Sequence, residues 1–264
     1  MIRASLNPIR IALGIEYDGT AYNGWQRQTT GLGVQQLVEE ALTLVADAAV
    51  VVTCAGRTDT GVHATGQVVH FDAENARSER GWILGANSNL PDDINVTWAK
   101  LVNDEFHARF SATGRGYRYR ILNRPLRSAL YRHRAWWVQR PLNERRMQEA
   151  ADLLVGQHDF SSFRAAGCRA ATAVRDITSI AISRDGDWVN LNISADAFLQ
   201  RMVRNITGSL VAVGSGEATP QWLQAVLVAR DRKQGGVAAP AHGLTLVSVD
   251  YPQAFDIPGA LTSF

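Results

Sequence analysis

One short segment of the chain combines a carboxylate, a guanidinium and turn-forming glycines. Residues 54–63 read CAGRTDTGVH, so Gly56 and Gly61 stand on either side of Arg57 and Asp59. Glycine allows a tight turn or a close approach to a ligand, and the spacing therefore predicts a loop tip that carries a cation and a carboxylate. This loop is the candidate for catalysis. The alternative is an Asx-turn, in which Asp59 bonds its own loop and Arg57 is solvated.

No other familiar catalytic motif is present in the sequence. Gly31 and Gly33 lack the third glycine of a dinucleotide loop, and there is no P-loop and no Ser-centred elbow. The six histidines are scattered. Cys54 and Cys168 are too few for a disulfide framework and lack metal-ligand spacing. We therefore expect no metal and no cofactor, and we assign the cysteines no role.

The segment from His107 to Asn143 contains no Asp or Glu, although the formal net charge of the whole chain is only +2. Arginines and aromatic residues alternate along it: Arg109, Phe110, Arg115, Tyr117, Arg118, Tyr119, Arg120, Arg124, Arg127, Tyr131, Arg132, Arg134, Trp136, Trp137 and Arg140. Arginines neutralise phosphates and rings accept unstacked bases, so the pattern favours a nucleic-acid partner. The alternative is a solvated basic face in a chain that uses arginine as its usual cation.

The first half of the chain predicts the element order β-α-β-β-α-β. Strands are expected at 9–17, 50–54, 67–71 and 94–102, with an amphipathic helix from Val34 and a short helix at 82–86. This order is that of a ferredoxin-like unit.

The second half is expected to repeat the plan. Strands are predicted at 116–122, 177–183, 188–195 and 244–251, and helices after Asn143, at 197–213 and after Thr219-Pro220. The sequence thus predicts an α+β fold of two tandem ferredoxin-like halves with mixed or antiparallel sheets, helices packed on the sheets and a central RNA-binding cleft.

The predicted boundaries divide the chain into two halves. Residues 9–106 carry the loop at 54–63, and residues 107–252 carry the arginine and aromatic segment, while 1–8 and 253–264 are expected to be peripheral. No apolar run approaches the roughly 20 residues that span a bilayer, and the N-terminus lacks the features of a signal peptide. We therefore expect a cytoplasmic protein without a membrane partner.

The string AGRTDTGVHATGQVVHF resembles the signature of the tRNA pseudouridine synthase A family, also called pseudouridine synthase I. The similarity runs from about Ile9 to Pro252 and includes IEYDGTAYNGWQRQ, NLPDDI, FHARFSAT, YRYRI, HDFSSFR, FLQRMVRNITGSL and GLTLVSVDYP. The resemblance implies an isomerase without cofactor that detaches uracil from its ribose at N1, rotates the base and rejoins it through C5.

The resemblance also implies roles for five residues. Asp59 is the nucleophile, which suits a carboxylate because it can form a covalent intermediate and later leave. Tyr117 stacks on the flipped uracil, Arg57 fills the gap left by that base, Arg204 pairs with the catalytic aspartate, and Leu244 forms an apolar wall of the pocket. For Tyr117 and Leu244 the alternative is an ordinary core position, and for Arg204 it is an exposed surface position.

The family implies a substrate, which is the anticodon stem-loop of tRNA at positions 38, 39 and 40. A base in a stem must be flipped out before it can rotate, at a cost of a few kcal/mol. The family also implies a homodimer. Two alternatives stay open at this point: a non-catalytic RNA-binding or RNA-folding protein, and a pseudouridine synthase that acts on another RNA such as ribosomal RNA.

Overall fold

In a computed structural model the chain forms two compact units, and the structure describes residues 8–75 and 77–259. The first unit contains the described residues up to Thr113 and again from Leu246, and the second unit is Gly114–Thr245. Most of the segments expected to be peripheral, 1–7 of residues 1–8 and 260–264 of residues 253–264, lie outside the described residues.

The helices and strands of the first unit follow the predicted order. They are β1 (Ile9–Tyr17), α1 (Val34–Ala46), β2 (Thr53–Cys54), β3 (His63–Ala73), α2 (Glu79–Asn87) and β4 (Ile94–Val102). The strand expected at 50–54 is reduced to two residues.

The second unit holds most of the remaining elements. They are β5 (Gly114–Asn123), β6 (Trp136–Val138), α3 (Glu144–Asp152), β7 (Gly156–Asp159), β8 (Val174–Asp185), β9 (Trp188–Ala195), α4 (Met202–Gly214) and α5 (Pro220–Ala229), and then β10 (Leu244–Asp250) leads back into the first unit. Short 3-10 helices lie at Gly19–Ala21, Ser161–Phe163, Arg232–Gln234, Ala241–Gly243 and Gln253–Phe255.

The sheet of the first unit has the order β4-β1-β3-β10, and β2 pairs with β3. Strand β1 runs antiparallel to both β3 and β4. This central position explains the apolar run from Ile11 to Ile15, because Ala12 on one face of the strand and Leu13 on the other are both fully buried. Helix α1 buries Val34, Val38 and Leu42, which is the stripe that its three- and four-residue spacing predicts.

The sheet of the second unit has the order β5-β9-β8-β7 with antiparallel pairing, and the short strand β6 runs parallel to β5. Helix α3 packs on β8 and on α4. Asn143 caps α3 by accepting a bond from the N–H of Arg146, and Thr219 caps α5 by accepting from the N–H of Trp222. The helices predicted after Asn143 and after Thr219-Pro220 are therefore confirmed, and each begins with a side-chain cap.

Two features of the second unit differ from the prediction. Strands β6 and β7 were not expected, because three or four residues are too few to establish an alternating pattern. The helix predicted at 197–213 begins only at Met202, since Arg201 adopts a left-handed conformation with φ of 62°. The α+β class is confirmed, whereas the tandem ferredoxin-like description and the central RNA-binding cleft stay predictions.

The chain after β10 completes the core of the first unit. Tyr251, Phe255 and Ile257 pack against a buried cluster that contains Phe106 and Ala108. The hydroxyl of Tyr251 donates to the carbonyl of Ala108 at 2.6 Å, and its ring centroid lies 5.1 Å from that of Phe106. Part of the segment expected to be peripheral therefore covers apolar surface.

Candidate active site

The loop between β2 and β3 is anchored at its start by a buried amide side chain. Gln67 is fully buried, and its Nε2 donates to the carbonyl of Gly56 at 2.6 Å. Its Oε1 accepts from the N–H groups of Gly56 at 3.4 Å and of Val68 at 3.2 Å. Gln67 thus satisfies backbone groups that would otherwise be unpaired inside the protein.

The tip of this loop is held on both sides of Asp59. The hydroxyls of Tyr17 and Thr58 share a buried hydrogen bond of 2.7 Å, and the N–H of Trp25 donates to the carbonyl of Thr58 at 3.1 Å. After Asp59, its own carbonyl accepts from the N–H of Val62 at 3.1 Å. Asp59 is half-buried, so it lies at the tip on a fixed backbone.

Two glycines of the segment that follows β1 pack directly on the loop backbone. A Cβ on Gly24 would lie 2.5 Å from the carbonyl oxygen of Thr58 and 3.0 Å from the carbonyl carbon of Asp59. Gly24 also has a φ of +90°, which only glycine adopts without strain. A Cβ on Gly19 would lie 2.0 Å from the carbonyl oxygen of Val62. The two backbones are therefore in contact along the length of the tip.

A further contact joins the turn before β4 to the same region. The hydroxyl of Tyr22 donates a short hydrogen bond to Asp93, and the carbonyl of Tyr22 accepts from the N–H of Gly61 at 3.3 Å. Burial, followed by the bond to Asp93, raises the pKa of Tyr22 above its ordinary value. The N–H of Gly19 donates to Nδ1 of the buried His63 at 3.0 Å. Three separate segments therefore support one loop.

The cation and the thiol of the loop differ in environment. Arg57 is exposed. Burial raises the pKa of Cys54 to about 11, and the charges of Arg57 and Arg109 offset only part of this rise. At neutral pH the thiol is therefore protonated and a poor nucleophile.

Tyr117 lies on β5 in the second unit, opposite Ile193 of β9. It is half-buried, and its ring meets that of Phe198 edge to face at 5.1 Å. Tyr119, two residues further, shares its face of the strand but is fully buried and donates to the carbonyl of Pro240 at 2.7 Å. Of the two tyrosines only Tyr117 has surface left for a ligand.

Arg204 on α4 is bound to the segment before β10, and Leu244 opens that strand. The Nε of Arg204 donates to the carbonyl of Ala239 at 2.8 Å, and the N–H of Ala239 donates back to the carbonyl of Arg204 at 3.0 Å. A Cβ on Gly208 would lie 1.7 Å from the carbonyl oxygen of Val237, so α4 touches this segment closely. Arg204 is half-buried and Leu244 is 6% exposed. Arg204 is therefore not an exposed surface arginine.

The predicted site residues thus fall into two groups, one in each unit. Arg57 and Asp59 share the loop of the first unit, and Tyr117, Arg204 and Leu244 belong to the second. The residues that support them were not predicted to do so from the sequence, and they are Gln67, Tyr17, Tyr22, Gly24 and Tyr119. The glycine and the first two tyrosines stand within or beside the string IEYDGTAYNGWQRQ, and Tyr119 stands within YRYRI, so those strings were the available signal.

The arginine and aromatic segment contains both structural and exposed side chains. Arg120 lies over the ring of Trp188 at 4.3 Å, and Arg118 donates to Asn192 at 2.9 Å, so these cations have partners within the second unit. Tyr119 is buried, whereas Phe110 is 76% exposed. The burial pattern therefore separates side chains that build the protein from those that a ligand can reach.

Two other features are absent from residues 8–75 and 77–259, the part of the chain that the structure describes. No group of three or more His, Cys, Asp or Glu side chains in this part of the chain has an arrangement that could hold a metal ion. Among the same residues, no helix has both the length and the apolar character required to cross a membrane.

Replacing Gln67 by leucine tests the anchoring of the loop. Because the change leaves the backbone of Gly56 without its partners, we expect the free energy of unfolding to fall by about 2–4 kcal/mol. Urea unfolding followed by circular dichroism measures it. Gln36→Leu is the matched control, since the side chain of Gln36 donates to the exposed Glu40 on the same helix and its loss should change stability by less than about 0.5 kcal/mol. Equal unfolding midpoints for the two variants would contradict the assigned role.

A family profile and individual curated proteins both match this chain, and both matches are to tRNA pseudouridine synthases. The sequence profile of the family described as tRNA pseudouridine synthase matches residues 14–111 and 150–252. Curated proteins named tRNA pseudouridine synthase A are 55% identical over 249 residues in Coxiella burnetii (strain RSA 331 / Henzerling II), covering 94% of this chain and 95% of the relative. Those of Colwellia psychrerythraea and Nitrosococcus oceani are each 52% identical over 250 residues, covering 95% of this chain and 96% of the relative.

A chain from the crystal structure of a Cbf5-Nop10-Gar1 complex superposes with a TM-score of 0.38 and 10% identity, covering 89% of this chain and 48% of the other. This similarity is too weak to bear on the fold.

Proposed function

We propose that this chain, which belongs to the tRNA pseudouridine synthase family, forms pseudouridine in the anticodon stem-loop at positions 38, 39 and 40 with Asp59 as nucleophile. Family membership makes the chain an isomerase of the tRNA pseudouridine synthase kind. The choice of nucleophile is supported by the loop itself. Asp59 is a half-buried carboxylate whose backbone is hydrogen-bonded immediately before and after it.

The reaction asks a carboxylate to form and release one covalent bond. The bond from N1 of uracil to the ribose breaks, the base rotates, and a bond from C5 to the ribose forms. C5 loses a proton and N1 gains one, so the exchange balances without a co-reactant. After the first bond has broken and before the second forms, a carboxylate oxygen of Asp59 is covalently bonded to the substrate. A fixed backbone keeps that carboxylate oriented while the base rotates.

The proposed mechanism begins with base flipping, which costs a few kcal/mol. The exposed Arg57 is assigned to the gap that the flipped base leaves. Tyr117 is assigned to stack on the uracil, a contact worth roughly 1–3 kcal/mol that offsets part of the cost. Its half-buried ring, packed edge-on against Phe198, supports this assignment because the ring is oriented yet still partly accessible.

The other two assignments concern the charge and the wall of the pocket. Arg204 is proposed to pair with Asp59, which keeps the carboxylate ionised and oriented. The bond from its Nε to Ala239 supports this role, because it restrains the plane of the guanidinium. Leu244 is proposed as the apolar wall, in keeping with its burial. A homodimer and a cytoplasmic location complete the proposal, and both rest on similarity to the family.

A transcript of unmodified tRNA labelled with tritium at C5 of uridine tests the position of the target. Because C5 must lose its hydrogen, the wild-type protein is expected to release tritium from this transcript. Replacing the uridines at 38, 39 and 40 by cytidine is expected to remove essentially all release. A matched transcript with an equal number of uridines replaced in another arm should release tritium as before. Undiminished release from the first transcript would refute the anticodon assignment without touching the family-level activity.

A further inference from the structure

The turn at residues 107–110, between β4 and β5, exposes an aromatic ring to solvent. Phe110 is 76% exposed, although phenylalanine is a residue that folding normally buries. The ring is nevertheless restrained, because it stacks on the ring of His107 with centroids 4.3 Å apart and planes 28° apart. Behind His107 lies His70, whose ring centroid is 4.7 Å away. The planes of His70 and His107 are tilted by 58°, so the exposed ring is stacked on His107 and is the outermost of three neighbouring rings.

Two histidine nitrogens hold the backbone of this turn. Nδ1 of His107 accepts from the N–H groups of Arg109 at 3.2 Å and of Phe110 at 3.1 Å. Nδ1 of His70 accepts from the N–H of Ala108 at 3.1 Å. Three successive N–H groups thus donate to imidazole acceptors. These bonds restrain the backbone at Phe110 and so orient its side chain.

Both acceptors are neutral at physiological pH. Burial, together with the nearby His107 and Arg10, lowers the pKa of His70 to about 4. Burial also lowers the pKa of His107, with smaller contributions from Arg10 and Arg109. A neutral imidazole can keep Nδ1 unprotonated, so both nitrogens remain hydrogen-bond acceptors at physiological pH.

A cation accompanies the exposed ring. The guanidinium carbon of Arg109 lies 5.5 Å from the centroid of Phe110. A flat apolar face beside a positive charge fits a ligand that has a flat face and a negative charge, and a nucleotide of RNA has both.

The three neighbouring rings belong to the same part of the molecule as the Asp59 loop. Ala108 and Phe106 share a buried cluster with Ala55, the second residue of the loop segment, and with Val68 of β3. The charge of Arg109 also acts on the pKa of Cys54, the first residue of that segment. An RNA bound at Asp59 would therefore have nucleotides close to this turn.

We propose that His107, Arg109 and Phe110 form a stacking site for a nucleobase of the tRNA other than the target uridine. Phe110 takes the face of the base, Arg109 contacts the phosphate of the same nucleotide, and His107 supports the ring from behind. The inference deepens the proposed function and rests on it, since it assigns part of the substrate to a second site in the first unit.

Equilibrium binding of unmodified tRNA by Phe110→Leu, measured by filter binding over a series of NaCl concentrations, tests the site. Removing the ring is expected to raise Kd by about 10- to 100-fold at every salt concentration. Phe110→Tyr should restore Kd to within about threefold of wild type. Arg109→Gln should instead reduce the slope of log Kd against log salt by about one, as the loss of one phosphate contact requires.

Two matched controls exclude a general loss of structure. Leu101→Ala removes another exposed apolar side chain of the same unit, and Arg80→Gln removes another exposed arginine. Both should bind tRNA as the wild type does, and all variants should keep the wild-type thermal unfolding temperature. A Kd for Phe110→Leu within twofold of wild type would overturn the proposal. So would an unchanged Kd accompanied by a smaller particle in light scattering, because the ring would then serve contact between two copies of the chain.

The result can be separated from the test of the anticodon assignment. If tritium release persisted after uridines 38, 39 and 40 were replaced, the assigned position would be wrong. A weakened binding of Phe110→Leu to whole tRNA would still support the stacking site. If instead the anticodon assignment held while Phe110→Leu bound normally, only the stacking site would be lost.

Discussion

Asp59→Asn is expected to lower tritium release from C5-labelled tRNA by at least about 10⁴-fold while tRNA binding is retained. An amide keeps the size and much of the hydrogen bonding of a carboxylate, but it cannot attack carbon and then leave as a stable anion. The effect should fall on turnover and not on the Kd for tRNA, because the covalent bond is made only during the reaction. Single-turnover release and filter binding on the same protein measure the two quantities.

A second aspartate of the first unit provides the control for this change. Asp92 is exposed in the turn before β4, and Asp92→Asn should keep the wild-type rate. Release by Asp59→Asn above about one per cent of the wild-type rate would move the nucleophile to another residue. Loss of both release and binding, with normal unfolding, would assign Asp59 to substrate binding.

Gly24→Ala is expected to lower kcat/KM by about 100-fold without any change to a residue assigned to the chemistry. The new Cβ would meet the backbone of Thr58 and Asp59 at 2.5–3.0 Å, so one of the two segments must move. A displacement of about 1 Å at a nucleophile costs on the order of 10² in rate. Steady-state tritium release measures this loss, and urea unfolding should show a fall of about 1–3 kcal/mol from the strained backbone and the close contact.

Gly156→Ala separates the close contact from the backbone strain. Gly156 has a φ of +100°, similar to that of Gly24, but its Cβ would meet nothing nearer than 3.9 Å. It should therefore lose stability of the same order and keep its activity. Equal kcat/KM values for the two alanine variants would mean that the position of the loop does not depend on Gly24.

The elements that were predictable from sequence are those whose signal is local. Helix α1 has an apolar stripe at three- and four-residue spacing, and α5 has a Thr-Pro start, so both were found near their true beginnings. The start of α4 was not, because its limit is set by the left-handed conformation of Arg201, a residue that carries no signal for it. Strand β6 exists because Ile121 to Asn123 offer it a partner, and that partner is not adjacent in sequence.

The candidate site shows the same division. Asp59 was identifiable because two glycines bracket it within a few residues and the whole string is typical of one family. Its supports were not, since Gln67 is one of many polar residues until its amide is seen to bond Gly56. The contact between Gly24 and Thr58 joins positions far apart in the chain, and a spacing argument cannot reveal it.

The route of the chain through the first unit has a consequence for synthesis on the ribosome. Phe106 and Ala108 are covered by Tyr251 and Phe255, and the N–H of Thr113 bonds the carbonyl of Asp250. Between the two parts of the first unit, the ribosome must synthesise the roughly 130 residues of the second unit. At 5–20 residues per second this takes about 7–26 s.

The apolar cluster of the nascent first unit therefore stays exposed to solvent until the second unit has been synthesised. Domains usually fold in the order of their synthesis, but here the N-terminal part of the chain is the last to be completed. An mRNA truncated before the codon for Tyr251 would yield a chain with a complete second unit. In its first unit, the hydrophobic cluster beside the Asp59 loop would remain uncovered. Such a product is a substrate for chaperones and proteases rather than a partly active enzyme.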